Sequence, residues 1–157
     1  MAEGDKLPVM PSPHLLTDVA AIDALIARTH RVDVLGIKTE AQAGQPAYDV
    51  PRYLDAAGIE VIPVPVYYPE VTSILGKTVY RRLVDVPGDI DLVDVFRRAK
   101  DLDAHVDDIL AKRPRAVWLQ LGIRNDAVAE RLASAGIDIV QSRCLMVDHR
   151  RWLATPR

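Results

Sequence analysis

Strand-like and helix-like segments alternate along almost the whole of this 157-residue chain. Short apolar runs, several ending at Gly or Pro, predict the strands, and apolar residues at helical spacing predict the helices. The predicted strands cover 31–37, 60–65, 91–96, 116–121 and 137–140, and the predicted helices cover 15–27, 45–57, 98–110 and 125–135. Thr17 or Asp18 is suited to cap the first helix. This order favours an α/β, Rossmann-like three-layer fold, with a central mostly parallel sheet and helices on both faces.

The length and patterning indicate one folded domain. A chain of 157 residues is long enough to bury one substantial core, and no internal repeat divides it. Residues 1–13 contain three prolines and few apolar anchors, so we expect a flexible N-terminal arm ahead of a single domain over 14–157. Residues 67–88 are predicted to form a loop, and a short basic tail is expected after Cys144.

The composition argues against several classes of partner. A formal net charge of −2 gives no overall field that would attract nucleic acid, so any anionic ligand must be held by local groups. No apolar run reaches the roughly 18–20 residues that span a bilayer, and residues 1–14 lack the pattern of a signal peptide. The single cysteine, Cys144, cannot form an internal disulfide, which favours a cytoplasmic location.

The strand assignments also locate a candidate ligand site. In an open parallel sheet, ligands bind in the crevice beyond the carboxyl ends of the strands, near the point where strand order reverses. The segments that follow the first four predicted strands are 36–46, 64–66, 96–98 and 120–122. These four segments are therefore the candidate site.

The first of these segments has features of a phosphate-binding loop. Gly36 ends a strand, Lys38 and Thr39 offer a charge and a hydroxyl, and the next helix offers free amide groups. The segment is not a GxGxxG motif, however, and no Walker A motif is present. Nor does an acidic residue end the second strand, where it would hold a nicotinamide ribose. Gly36 therefore serves either the turn or a ligand.

Two adjacent arginines follow the third predicted strand. Arg97 and Arg98 stand where a guanidinium can bind phosphate in a forked geometry. Alternatively, both begin the next helix and face solvent.

No catalytic or metal-binding constellation is visible. The four histidines are scattered along the chain, at His14, His30, His105 and His149. His105 has acidic neighbours in a helical pattern, which favours a solvated helix face over a general base. Asp91 and Asp94 are expected on opposite faces of a strand in structural roles. Cys144 has no partner that would mark a nucleophile, so a small buried apolar role is expected.

Several strings together resemble the CoA-binding domain family, small stand-alone proteins related to the nucleotide-binding part of the succinyl-CoA ligase α chain. The strings are VDVLGI (32–37), PAYDVPRYL (46–54), GIEVIPVPVYYPEV (58–71), ILGKTVYRRLVDVPGDIDLVDVFRR (74–98), AVWLQLGIRNDAVAERLASAGIDIV (116–140) and RCLMVDH (143–149). The resemblance spans roughly residues 15 to 150. The order of VDVFRR, WLQLGI and RCLMVDH makes it specific.

The resemblance implies a Rossmann-like domain that holds coenzyme A through its nucleotide and diphosphate. By position, the diphosphate would be cradled by Gly36, Ile37, Lys38 and Thr39, with Pro46, Ala47 and Tyr48 at the helix start. The adenine would be flanked by Val64 and Pro65. The crevice would be lined by Phe96, Arg97 and Arg98, and its far side would be closed by Gln120, Leu121 and Gly122. Cys144 matches a family cysteine, whose thiol is either structurally buried or able to meet the CoA thiol in a mixed disulfide.

Two departures from the family pattern weaken the implied site. The first loop reads IKTEAQAGQ instead of a small residue and Ser or Ala before a Pro- or Arg-containing turn, and Glu40 in it is placed to repel a diphosphate. The second strand ends Pro63-Val64-Pro65 where the family usually has asparagine before proline.

Three functions are consistent with these features. The first is non-catalytic binding of CoA or an acyl-CoA, since the ligase relatives need a second domain with a phosphorylated histidine for which this chain has no room. The second is a small NAD(P)-dependent oxidoreductase, which lacks its fingerprint here. The third is a protein-interaction module with a degenerate nucleotide pocket. For any of the three, a homodimer or a protein partner is possible.

Overall fold

The computed structural model, which describes residues 12–156, places five parallel strands between two layers of helices. The sheet strands are β1 (Arg31–Leu35), β2 (Glu60–Val64), β5 (Leu92–Val95), β6 (Ala116–Leu119) and β7 (Asp138–Val140), while β3 (Ser73–Ile74) and β4 (Lys77–Thr78) form an antiparallel hairpin. The helices are α1 (Val19–Ala27), α2 (Pro46–Ala56), α3 (Asp103–Lys112), α4 (Asp126–Ser134) and α5 (Leu145–Ala154). The predicted α/β, Rossmann-like fold is confirmed.

Strand order reverses between β1 and β5. The order across the sheet is β2-β1-β5-β6-β7, and all four neighbouring pairs are parallel. The chain moves from β1 to β2 on one side, then crosses back to β5 on the other side of β1. The carboxyl ends of β1 and β5 therefore flank the crevice in which ligands bind in sheets of this kind.

The sheet is buried on both faces because its strands are apolar on both sides. Val32 and Val34 pack in a cluster with the inner faces of α1, α2 and α5. Leu35 and Val95 belong to a second cluster, which includes α3 and α4. Trp118 is fully buried in the first cluster, and its indole Nε1 donates to the Arg143 carbonyl at 2.7 Å. Within residues 12–156, no helix is both long and apolar enough to cross a membrane.

Both edges of the sheet are covered. Beside β2, the Tyr80 amide donates to the Pro63 carbonyl at 3.0 Å, and the β3–β4 hairpin packs along the strand. Beside β7, the Leu16 amide donates to the Ile139 carbonyl at 2.9 Å. Covered edges cannot pair with strands of other chains, which protects a sheet from aggregation.

The amino-terminal predictions were partly wrong. The predicted arm lies almost entirely outside the described residues, which begin at Ser12. The first helix begins at Val19, not at Leu15, because Leu15 and Leu16 extend alongside β7. Asp18 caps this helix, since its carboxylate accepts from the Ala21 amide at 2.7 Å.

The prediction of a basic tail after Cys144 was wrong. Residues 145–154 form α5, which packs against α1 and α2. The helix is hard to recognise in the sequence because its buried face includes polar residues. The Asp148 residue is 3% exposed, and its carboxylate accepts from Arg143 Nε at 2.6 Å and Nη2 at 2.8 Å. His149, also buried, contacts the Tyr53 hydroxyl through Nδ1 at 2.8 Å. Asp148 and His149 therefore occupy positions at which most helices carry apolar residues, and this interrupts the apolar periodicity of α5.

Candidate functional site

Gly36 stands at the carboxyl end of β1, against the end of β5. Its φ is +85°, and a Cβ at this position would lie 2.4 Å from the Phe96 carbonyl oxygen and 3.2 Å from Arg97 Cδ. The Gly36 amide also donates to the Val64 carbonyl at 2.9 Å. The glycine is required by the close approach of two chain segments, so the turn explains it without a ligand.

The loop from β1 to α2 satisfies its polar groups internally. Thr39 and Gln42 form a capping box, in which the Thr39 hydroxyl donates to Gln42 Oε1 at 2.7 Å. The Lys38 amide donates to the Ala47 carbonyl at 3.0 Å, and Lys38 Nζ donates to Gln45 Oε1. Hydrogen bonds between residues close in sequence therefore hold most of this loop.

The amino terminus of α2 faces the same loop. Pro46 occupies the first turn as predicted, and Gln45 makes no side-chain hydrogen bond to cap the helix. Asp49 lies in the first turn and accepts from the Gly44 amide at 2.9 Å. Lys38 and the positive end of the helix dipole favour an anion here, whereas Asp49 opposes one.

Glu40, which was expected to repel a diphosphate, is bonded to the hairpin. Its carboxylate accepts from the Leu75 amide at 2.7 Å. Leu75 has a φ of +55°, and its neighbour Ile74 is buried in the core. Glu40 thus connects the first loop to the β3–β4 turn.

Arg97 and Arg98 differ sharply in their surroundings. The Arg97 side chain is 13% exposed and lies against Gly36, whereas the Arg98 side chain is 68% exposed. Arg98 Nε donates to Asp101 Oδ2 at 2.8 Å, and this hydrogen bond raises the pKa of Arg98 and lowers the pKa of Asp101. Neither arginine lies in α3, which begins at Asp103 after a 3-10 turn over Ala99–Asp101.

Two side chains that the sequence interpretation did not place in the site contact Arg97. Its Nη1 donates to the Tyr67 hydroxyl at 3.2 Å, with Cζ 5.3 Å from the centre of that ring. Its Nε donates to His105 Nε2 at 3.2 Å. His105 is half-buried and not on a solvated face, and desolvation followed by the charge of Arg97 lowers its pKa. The sequence signal for Tyr67 is its position three residues after β2, in a loop at the carboxyl edge of the sheet.

The predicted residues Gln120, Leu121 and Gly122 follow β6, on the far side of β5 from β1. Gln120 is 4% exposed, and its Oε1 accepts from the Leu145 amide at 3.2 Å, at the start of α5. The Gly122 amide donates to Ser142 Oγ at 3.1 Å, while Leu121 is 71% exposed. These residues therefore contact the β7–α5 connection. The predicted residues that lie close to one another are Gly36, Val64, Phe96 and Arg97.

Seven of the predicted residues have buried side chains. These residues are Ile37, Thr39, Ala47, Tyr48, Val64, Pro65 and Gln120. A ligand can meet only their backbone unless the core opens. Among the predicted residues with side chains, Pro46, Arg98 and Leu121 are exposed, and Lys38, Phe96 and Arg97 are partly exposed.

Two buried carboxyls lie below the crevice, one in each strand that flanks it. Asp33 in β1 and Asp94 in β5 are fully buried, and none of their oxygens has a hydrogen-bond partner. Burial raises the pKa of Asp33 to about 7, although the charges of Arg31 and Lys112 act in the opposite direction. Burial alone raises the pKa of Asp94 well above its usual value. Asp91 instead accepts from the His30 and Arg31 amides, which fits its predicted structural role.

A model of the CoA binding domain matches residues 30–150, which include β1 to β7 and both sides of the crevice. The chain belongs to the CoA-binding domain family. Its resemblance in sequence to that family is therefore confirmed.

Relatives of this CoA-binding domain cover most of its length. The Bacillus subtilis protein YneT, described as uncharacterized, is 28% identical over 130 residues, which make up 83% of this chain and 93% of YneT. A Thermus thermophilus protein of known structure is 36% identical, with a TM-score of 0.78 over 87% of this chain and 99% of its own. A dinucleotide-forming acetyl-coenzyme A synthetase from Ca. Korarchaeum cryptofilum shares the fold, with 16% identity and a TM-score of 0.60 over 71% of this chain and 25% of its own.

A cavity of about 460 Å³ lies elsewhere in this CoA-binding domain, between residues 15–17, the start of α4 and residues 141–143. Its two arginines are paired, Arg124 with Asp126 at 3.2 Å and Arg143 with Asp148 at 2.6 Å. Paired charges leave little to attract an anion, so this cavity is a poor candidate for the CoA phosphates. Within 12–156, no cluster of three or more His, Cys, Asp or Glu side chains is placed to hold a metal ion.

Proposed function

We infer that this protein binds coenzyme A or an acyl-CoA, without catalysis, at the carboxyl edge of its parallel sheet. The family supports the ligand class. The observation that carries the placement is Arg97, which is held against Gly36 at the point where strand order reverses. An arginine is suited there to a forked contact with the CoA diphosphate.

The exposed apolar residues support the same placement. Val66, Tyr67 and Leu121, three of the six most exposed large hydrophobic residues in the described chain, follow β2 or β6. These strand ends are separated by three strand spacings, or about 14 Å. A long ligand that crosses the end of β1 can therefore meet apolar surface on both sides and Arg97 in the middle. The pantetheine arm and adenine of CoA have the length and the apolar character for this path.

The absence of a catalytic role is supported by the chemistry of the crevice. His105 Nε2 already accepts from Arg97, so its neutral ring is occupied as a partner and is not free as a base. Cys144 precedes α5 and packs against the core cluster of α1 and α2. Neither residue forms the nucleophile–base pair that covalent catalysis requires. A cytoplasmic location, where CoA is found with thiols reduced, agrees with a lone cysteine.

Calorimetric titration of the purified protein with CoA tests this function, with NAD and ADP as parallel ligands. We expect binding by CoA in the micromolar range or tighter, and weaker binding by ADP because it lacks the pantetheine arm. Equal binding of NAD would favour an oxidoreductase instead. No binding by any of the three would point to a protein partner.

A further inference from the structure

One arginine shapes the loop that follows β2. The guanidinium of Arg81 donates to the carbonyls of Tyr67 at 3.2 Å, Tyr68 at 3.0 Å, Pro69 at 3.4 Å and Val71 at 2.6 Å. Tyr68 has a φ of +65°, a strained backbone conformation for a bulky residue. Four charge-assisted hydrogen bonds hold the loop in that conformation and direct the Tyr67 side chain toward Arg97.

The Tyr67–Arg97 contact passes over the end of β1. Tyr67 follows β2 and Arg97 follows β5, and β1 lies between these two strands in the sheet. Gly36, at the end of β1, is directly beside the Arg97 stem. The Tyr67 residue is 56% exposed, whereas the Arg97 side chain beneath it is 13% exposed. Tyr67 therefore covers the cation at the centre of the crevice.

The partners of Arg97 are weak for a buried guanidinium. Its hydrogen bonds go to a phenol and a neutral imidazole, and the nearest carboxylate, Asp101, lies at 3.8 Å and is bonded to Arg98. A phosphate gives shorter hydrogen bonds that are roughly twice as strong as those to neutral groups. A phosphate that reaches Arg97 is thus able to take the place of the phenol.

We propose that Tyr67 is an exchangeable cover on Arg97, which a phosphate group of the ligand displaces, so that only phosphorylated ligands open the crevice. This rests on the proposed function for the identity of the natural ligand, and it extends that function to a residue and a selection rule. Arg81 is a positioning residue, because its hydrogen bonds to the loop carbonyls hold Tyr67 over Arg97. The ring freed by the exchange remains beside the phosphate, where it can stack on a planar base.

The Tyr67 phenol itself reports the exchange. The hydrogen bond from Arg97, and then its charge, lower the pKa of Tyr67. Tyrosinate absorbance near 295 nm, taken as the difference between wild type and Tyr67→Phe, isolates this titration. We expect Arg97→Met and Arg81→Gln to raise the phenol pKa, and saturating inorganic pyrophosphate or CoA to raise it in the wild type. Tyr68→Phe is the matched control and should leave the Tyr67 titration unchanged.

Affinity provides a second measurement. Because Tyr67→Phe removes the competing hydroxyl but keeps the ring, CoA and pyrophosphate should bind roughly threefold more tightly to it than to the wild type. Phosphate-free pantetheine should bind neither protein.

The outcomes separate this proposal from the proposed function. If CoA binds but the Tyr67 titration and the Tyr67→Phe affinity do not change, the cover is refuted and the function stands. If pyrophosphate shifts the phenol titration but CoA does not bind, the cover stands and the function is refuted. If neither ligand shifts the titration, the cover is refuted.

Discussion

The two sides of the crevice are built in different ways. On the β1 side, most side-chain partners of the loop are close in sequence, such as Thr39 with Gln42 and Lys38 with Gln45, and Glu40 adds one bond to the hairpin. On the β5 side, Arg97 is held by Tyr67, 30 residues away, and by His105 in the following helix. The first side has a shape that is independent of a ligand, whereas the second places a cation under weak partners that a ligand can replace.

The two strands that lead to the crevice, β1 and β5, each contain a buried carboxyl, and the charges around these two carboxyls differ. Asp33 in β1 lies within the field of Arg31 and Lys112, while the pKa of Asp94 in β5 is raised by burial alone. An unpaired buried carboxyl is a large cost in free energy once it ionises. Substitutions on each side, chosen as matched pairs, test the comparison.

The largest expected effect is a pH dependence from the two buried carboxyls. The folded protein holds the Asp33 proton up to about pH 7, whereas the unfolded chain releases it near 3.8. The free energy of unfolding should therefore fall as pH rises between these values, by about 4 kcal/mol from this residue, and level off above pH 7. Asp33→Asn removes this decline, so the stability of the variant relative to wild type should rise over that range in urea titrations.

Asp94→Asn sharpens the contrast between the strands. The stability of Asp94→Asn relative to wild type should also rise with pH, because burial raises the pKa of Asp94 and the folded protein resists its ionisation. Stability differences that stay constant with pH would show that both carboxyls find partners in solution.

The next effect concerns the backbone approach at the end of β1. Gly36→Ala places a Cβ 2.4 Å from the Phe96 carbonyl oxygen, while Gly44→Ala in the same loop meets nothing within 4 Å. Both changes strain a positive φ, which costs about 1–3 kcal/mol. We expect Gly44→Ala to lose about 1 kcal/mol of stability in chemical denaturation and Gly36→Ala about 3 kcal/mol or more. Equal losses would mean that the β5 side yields to the added methyl group.

The smallest effect is measured on binding and compares the adjacent arginines. Arg97→Met should weaken CoA binding roughly tenfold to a hundredfold, since a hydrogen bond to a charged group contributes about 1.5–3 kcal/mol. Arg98→Met should weaken it less than about threefold, because its side chain is largely exposed and already paired with Asp101. Calorimetry gives both values, and thermal unfolding checks that each variant folds. Equal weakening would place the diphosphate at the solvent edge and not against Gly36.

The five strands of the parallel sheet were predictable from sequence to within a few residues, because each is a short apolar run. The β3–β4 hairpin was missed, since its two-residue strands lie in the segment predicted as a loop. The cap at Asn125 and the left-handed Gly136, with a φ of +83°, also match the predicted end points of α4. α5 was missed because its buried face includes two polar residues: Asp148, which is paired with Arg143 five residues earlier, and His149, whose partner Tyr53 lies on α2. Gly36 and Arg97 were named as candidates from single loops, whereas the contact between Tyr67 and Arg97 was not expected.

The sequence by itself determined the class of fold, the family and the carboxyl edge as the candidate site, since periodicity, turn residues and motif order are local properties. Only the tertiary structure decided which of two adjacent arginines is enclosed, what covers it and which carboxyls are buried without partners. Those properties depend on groups that meet across strands, such as Tyr67 and Arg97 on either side of β1. The physical reason is that solvent exclusion and charge interactions depend on distances in space, which spacing along the chain does not encode.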